Sequence, residues 1–215
     1  MSQSMTRFMS KNGLILATFA IISTAVVAIT STLTKPIIDK QIEAQLIANI
    51  SELIPADQYN NDLFASCFYS QSANLLGTTE PVQTWLALQD EQPVGLAIEA
   101  VAPNGYNGNI RLLIGIWYDG SVAGVRVLEH KETPGLGDKI ELTKSDWITK
   151  FNGLLVESED DPRWAVKKDG GQFDAFTGAT ITPRAIVGAV KNALIFYQQN
   201  HDNLYQQAGN CGAKS

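Results

Sequence analysis

The chain has 215 residues, 45% of them hydrophobic and 18% charged, with a formal net charge of −6. That apolar fraction supplies a core and excludes a disordered chain, and the length suits one domain or one domain with a small attachment. The acidic balance argues against nucleic acid, whose partners present basic faces. The charge is also uneven: residues 1–35 contain no Asp or Glu and only Arg7, Lys11 and Lys35, so residues 36–215 hold 13 basic against 22 acidic side chains, a net −9.

The first predicted element is a membrane span. Residues 12–34 carry no charge, and as a helix rising ~1.5 Å per residue they reach about 34 Å, enough to cross a hydrocarbon core of ~30 Å. Ser23, Thr24, Thr30, Ser31 and Thr32 interrupt the apolar run, but a helix can satisfy hydroxyls on its own carbonyls. A cleaved signal peptide shares the basic start, yet its apolar region spans only ~7–15 residues. Arg7 and Lys11 ahead of the span favour a cytoplasmic tail, residues 1–11, with the acidic body exported. A single span cannot conduct ions by itself, so any transport role needs partners.

Residues 35–54 follow as a stalk helix, with Ile38, Ile42, Leu46 and Ile50 at four-residue spacing and Pro36 in the first turn. Residues 57–61 and 70–79 are turn-rich. From Val82 the period becomes two, and strands are predicted over 83–88, 94–101, 110–118 and 122–129. The run 110–117 is apolar on both faces, which suits a central strand. Asp119-Gly120 signals a hairpin closed by a tight primed turn. A helical turn over 142–151 and a final helix over 183–199, capped by Thr182, complete an α+β domain with an antiparallel sheet, residues 55–215. Cys67 and Cys211 lie in the exported part, where an oxidising compartment permits a disulfide, with two free thiols as the alternative. There is no C-x-x-C, and no metal site is expected.

Two segments carry chemistry. In Asp174-Ala175-Phe176-Thr177-Gly178-Ala179-Thr180, hydroxyls surround a Gly-Ala step directly before a helix, where free amides and the helix dipole attract phosphate. From composition alone an ordinary capping turn with no ligand explains the segment better, because Ser and Thr caps are so common. In Glu132-Thr133-Pro134-Gly135-Leu136-Gly137 the glycines allow backbone to approach a flat or phosphorylated ligand. Neither a P-loop nor a dinucleotide fingerprint is present. His130, one of two histidines, has no second metal ligand nearby and reads as a hydrogen-bonding residue. No nucleophile–base pair supports a hydrolase.

The run Asp-x-x-Thr-Gly-Ala-Thr at 174–180 resembles the flavinylation motif of the FMN-binding domain family, and residues 132–137 resemble its flavin-lining loop. More closely, the chain is similar to the G-subunit family of the Rnf (Rsx) ion-translocating electron transport complexes, and more distantly to the C-subunit family of the sodium-translocating NADH:quinone reductases. That likeness takes in the span, residues 60–67, HKETPGLGDKIEL, SDWITKF, WAVKKDGGQFDAFTGATITPRAIV and the C-terminal cysteine. The resemblance implies FMN joined through its phosphate to the Thr180 hydroxyl by a flavin transferase that uses FAD and magnesium. Asp174 and Gly178 match positions the transferase requires, Thr177 stands where many relatives carry serine, and Ala179 completes the motif. Leu136 and the Gly135 and Gly137 backbone are expected to cover the ring, with Tyr106 or Trp147 stacking on it. The implied role is an electron-carrying subunit of a translocase in the bacterial inner membrane, its main domain periplasmic, bound to the other subunits and not a stand-alone enzyme. The alternative is a membrane-anchored flavin sensor or docking module that regulates partner proteins.

Overall fold

The computed structural model describes residues 2–211, without the side chains of residues 2–10, 39, 42 and 43. The end of the predicted domain, residues 212–215, lies outside the described residues, as does Met1 of the predicted tail. So do the side chains of Asp39, Ile42 and Glu43 on the predicted stalk.

Helix α1 spans Ser2–Leu53. Its segment Lys11–Ile38 is long and apolar enough to cross a membrane, and none of it is buried within the protein. The hydroxyls of Thr18, Ser23, Thr30, Thr32 and Thr34 bond to carbonyls three or four residues back, at 2.8–3.4 Å. These five hydroxyls are therefore satisfied locally. The two helices predicted for 12–34 and 35–54 are one: Pro36 sits inside α1 rather than at a helix start. The missing amide leaves one carbonyl a turn back without its partner, and the helical turns on either side outweigh that single loss. The chain divides into compact units at Ile47/Ala48, so the last turn of α1 belongs to the second unit.

In that unit five strands form an antiparallel meander, β1 Cys67–Ser72, β2 Thr78–Gln89, β3 Gln92–Gly105, β4 Gly108–Trp117 and β5 Val122–Glu129, in the order β1-β2-β3-β4-β5. Helix α2, Ile181–Leu204, packs on β3 and β4. Strand register sets the two faces. Phe68, Thr84, Ile98, Ile114 and Val125 pair across one face, all buried in the main core. Cys67, Trp85, Ala97, Gly115 and Gly124 pair across the other. There the two glycines form a notch for Leu53. A Cβ at Gly124 would lie 2.8 Å from Leu53 Cδ2, and one at Gly115 3.0 Å from Leu53 Cβ. Ile50, Leu53 and Ile54 are all buried, whereas Ile38 of the predicted stalk stripe is exposed. Strand β4 is thus covered on both faces, as its apolar run requires.

Three expectations change. Strand β1 falls where loop was read. The β4–β5 hairpin exists but is not closed by a primed turn: the Gly120 amide bonds to Trp117 O at 2.9 Å, and only Gly120, at φ +87°, is left-handed. That is a type I turn followed by a left-handed glycine. The turn with two consecutive positive φ values joins β2 to β3 instead, at Asp90 (+50°) and Glu91 (+64°). Asn60 holds it, accepting from the Asp90 amide at 3.0 Å and donating to the Asp90 carboxylate at 2.8 Å. The predicted helical turn over 142–151 appears as a 3-10 helix, Asp146–Phe151, capped by Ser145. A disulfide joins Cys67 to Cys211, with Cα atoms 5.3 Å apart, and the Asn210 and Cys211 amides bond to Cys67 O.

Candidate functional site

The two segments singled out in the sequence meet at the N-terminus of α2. Each is built around a turn with glycine at its third position. In Thr133-Pro134-Gly135-Leu136, proline presets the second position, Gly135 has φ +77°, and the Leu136 amide bonds to Thr133 O at 3.1 Å. In Phe176-Thr177-Gly178-Ala179, Gly178 has φ +84° and the Ala179 amide bonds to Phe176 O at 3.1 Å. Both are type II turns, which need positive φ at that position and no other. The turns touch: a Cβ on Gly178 would stand 3.2 Å from Leu136 Cδ2.

Between them lies a cavity of about 420 Å³, lined by the two turns, Tyr106 and the first residues of α2. Of the loop residues expected to line a flavin, Glu132, Thr133, Leu136 and Gly137 border it, and Pro134 and Gly135 do not. Of the motif residues, Gly178, Ala179 and Thr180 border it, whereas Thr177 is exposed beside it. Trp147 is not a ring-stacking residue at this cavity: it is buried against Phe151, Phe173 and Phe176, and its indole N–H donates to Asp174 O at 2.8 Å.

Helix α2 starts earlier than Pro183. Thr180 occupies the cap position and Ile181 the first helical one, which makes Thr182 helical rather than capping. The buried Thr182 hydroxyl, one turn position inside the helix, instead donates to Glu132 Oε2. Pro183 still fits, because amides in the first turn have no intrahelical acceptor. Thr180 makes no side-chain cap bond, and the first turn contains no acidic residue. A half-buried hydroxyl therefore sits at the positive end of a 24-residue helix, an arrangement that suits a phosphate ester.

Asp174, the first motif residue, is placed differently. Its carboxylate accepts from Lys150 at 2.7 Å and Lys167 at 2.6 Å on the surface. The Lys150 hydrogen bond, followed by that of Lys167, holds its pKa down to about 2. His130 is structural: Nδ1 accepts the Glu132 amide at 3.0 Å and Nε2 meets Glu141 at 2.7 Å. No cluster of metal-binding side chains occurs among the described residues.

Residues 105–195 match the family model of the FMN-binding domain, and residues 1–53 match that of the RnfG N-terminal region. The G subunit of the ion-translocating oxidoreductase complex from Shewanella piezotolerans is 50% identical over 207 residues, covering 96% of this chain and 98% of its own. The G subunit of the same complex from Vibrio atlanticus is 49% identical over 210 residues, covering 98% of this chain and 100% of its own. This chain belongs to the G-subunit family of ion-translocating oxidoreductase complexes. Among solved structures, Shewanella oneidensis NqrC superposes with a TM-score of 0.48 at 18% identity, covering 69% of this chain and 76% of that one. Within this G-subunit chain, the FMN-binding match begins at the β3–β4 turn and ends inside α2, so it contains every segment that borders the cavity.

The fit of FMN to these residues can be tested on the geometry. Cofactor pockets usually measure ~300–1,000 Å³, and about 420 Å³ lies within that range. Tyr106 and Leu136 offer flat and apolar contact, and Thr180 offers an uncommitted hydroxyl beside helix amides. The residues present fit FMN.

Proposed function

We propose that this chain is the electron-carrying subunit of a membrane-bound ion-translocating oxidoreductase, with FMN covalently attached to Thr180. The observation that carries the reading is a hydroxyl at the cap of α2 that caps nothing and borders the cavity. In the attaching step, Thr180 Oγ attacks the FMN phosphorus of FAD. A new P–O bond forms as the pyrophosphate bond breaks, AMP departs and the hydroxyl proton is lost to solvent. A separate magnesium-dependent flavin transferase performs this after export. When bound, FMN supplies one- and two-electron exchange. This chain's residues hold its phosphate at the helix N-terminus, cover the ring with Leu136 and Tyr106, and prevent loss of the cofactor outside the cytoplasm.

Residues 1–11 form a cytoplasmic tail, 12–34 the inner-membrane anchor, 35–54 the stalk and 55–215 the periplasmic FMN-binding domain, which docks on the other subunits. The exposed apolar stretch Lys11–Ile38 and the basic residues ahead of it support this arrangement. So does a disulfide that needs an oxidising compartment. The test is denaturing electrophoresis of the full chain from cells that hold the transferase. Flavin fluorescence marks the wild-type band and is absent in Thr180→Ala; a Thr180→Ala band that still fluoresces refutes the attachment site.

A further inference from the structure

Glu132 is the single charged residue bordering the cavity, and it is built in rather than left at the rim. It is 4% exposed. Its Oε1 accepts the Asn107 amide at 3.1 Å, and its Oε2 accepts the Thr182 hydroxyl. Two glycines make room for it: a Cβ on Gly137 would stand 2.8 Å from Oε2, and one on Gly105 3.0 Å from Oε1. Its two oxygens are held by neutral partners, and no ion pair to Glu132 occurs among the described residues. A buried carboxylate without a cation is costly, and an apolar side chain would close the same corner at less expense. A ligand that gains negative charge in this cavity meets a fixed negative charge at short range and in a poorly screened environment.

We infer that Glu132 lowers the reduction potential of a flavin held in the cavity, acting by its charge on the wall; this rests on the reading that FMN occupies that cavity. Reduction adds electrons to the flavin and the carboxylate opposes it. Glu132→Gln separates charge from structure: the new amide keeps an oxygen for the Asn107 N–H, and its NH2 can donate to the Thr182 oxygen, so the two bonds survive without the charge.

The experiment is a spectroelectrochemical titration of full-length protein in detergent, isolated from cells that hold the transferase, with thermal unfolding of each variant alongside. Wild-type protein without a fluorescent band, or a Thr180→Ala band that retains it, defeats the functional reading itself. With the flavin present, Glu132→Gln is expected to raise the reduced-to-oxidised ratio about tenfold at fixed ambient potential, about 30 mV for a two-electron couple, while unfolding stays at the wild-type temperature. A couple that stays put in Glu132→Gln overturns the inference, since a merely structural glutamate would move the unfolding temperature and not the couple. If Glu132→Gln carries no flavin, the titration passes to Glu132→Asp, which draws the charge one methylene back from the cavity. A smaller shift in the same direction upholds the inference, and an unmoved couple overturns it.

Discussion

Gly178 offers a test of whether turn geometry or bare side-chain size governs flavin attachment. At φ +84° its backbone is left-handed, which costs an ordinary L-residue about 1–2 kcal/mol. Alanine there should depopulate the type II turn that presents Thr180 by a factor of about 5–30. An added Cβ also approaches Leu136 Cδ2 at 3.2 Å, but that is the end of a half-exposed side chain, and the contact is the same for any Cβ. Asparagine carries a larger side chain than alanine yet tolerates the left-handed region much better. Conformation therefore predicts attachment rates in the order wild type, Gly178→Asn, Gly178→Ala, whereas steric exclusion by the transferase predicts alanine ahead of asparagine. The assay is a time course of in-gel flavin fluorescence with purified transferase, FAD and magnesium. Unfolding temperatures report the same strain, at about 2–4 °C per kcal/mol for a domain of this size. Alanine labelled faster than asparagine refutes the conformational argument.

Three further outcomes can be measured. Asp174, held near a pKa of about 2 by Lys150 and Lys167, contributes stability that is present above the unfolded value of ~3.9 and lost as pH falls from about 4 toward 2. Asp174→Asn should therefore melt lower than wild type at pH 6, with most of the gap closed by pH 2, and a gap at pH 2 as wide as that at pH 6 contradicts the ion-pair account. Reducing Cys67–Cys211 or making Cys211→Ser opens a link across 144 positions. Loop-closure entropy puts its contribution at up to about 5 kcal/mol, so a urea midpoint unmoved by reductant excludes it as a staple. Glu91→Gly relieves a left-handed glutamate at the β2–β3 turn and should stabilise the domain by about 1 kcal/mol in thermal or urea unfolding. Destabilisation would show that the glutamate side chain matters more than the backbone.

Much of the fold was legible because apolar periodicity was strong where burial is two-sided or alternating. Strands β2 to β5 and helix α2 all follow it. Strand β1 was hidden by Ser70 and Ser72, and the buried Ser70 shares a hydrogen bond with Thr84 on the neighbouring strand, 2.8 Å away. No local pattern encodes that partner. The hairpin turns went astray for a similar reason. Asp119-Gly120 has the composition of a primed turn but not its backbone, while Asp90-Glu91 has the backbone through bonds from Asn60, 30 positions earlier. At the site, the residue types at 132–137 and 174–180 were readable, but their meeting was not. Nor was the setting of Thr182 at the start of α2, whose hydroxyl is tied to Glu132, 50 positions away. Glu132 stood in the sequence as one member of a glycine-rich loop, and only the cavity makes it the lone charge on a wall.

The glycine notch under Leu53 bears on where the protein can be cut. A soluble form that begins at residue 55, where the stalk ends by sequence, would discard Ile50, Leu53 and Ile54 and leave Gly115 on β4 and Gly124 on the edge strand β5 facing solvent. Neither position has a side chain with which to cover itself, and neither can accept one while Leu53 is in place. Water-soluble protein for flavin loading or crystallisation should therefore retain the chain from Ala48 onward, so that the last turn of the helix goes with the sheet it covers.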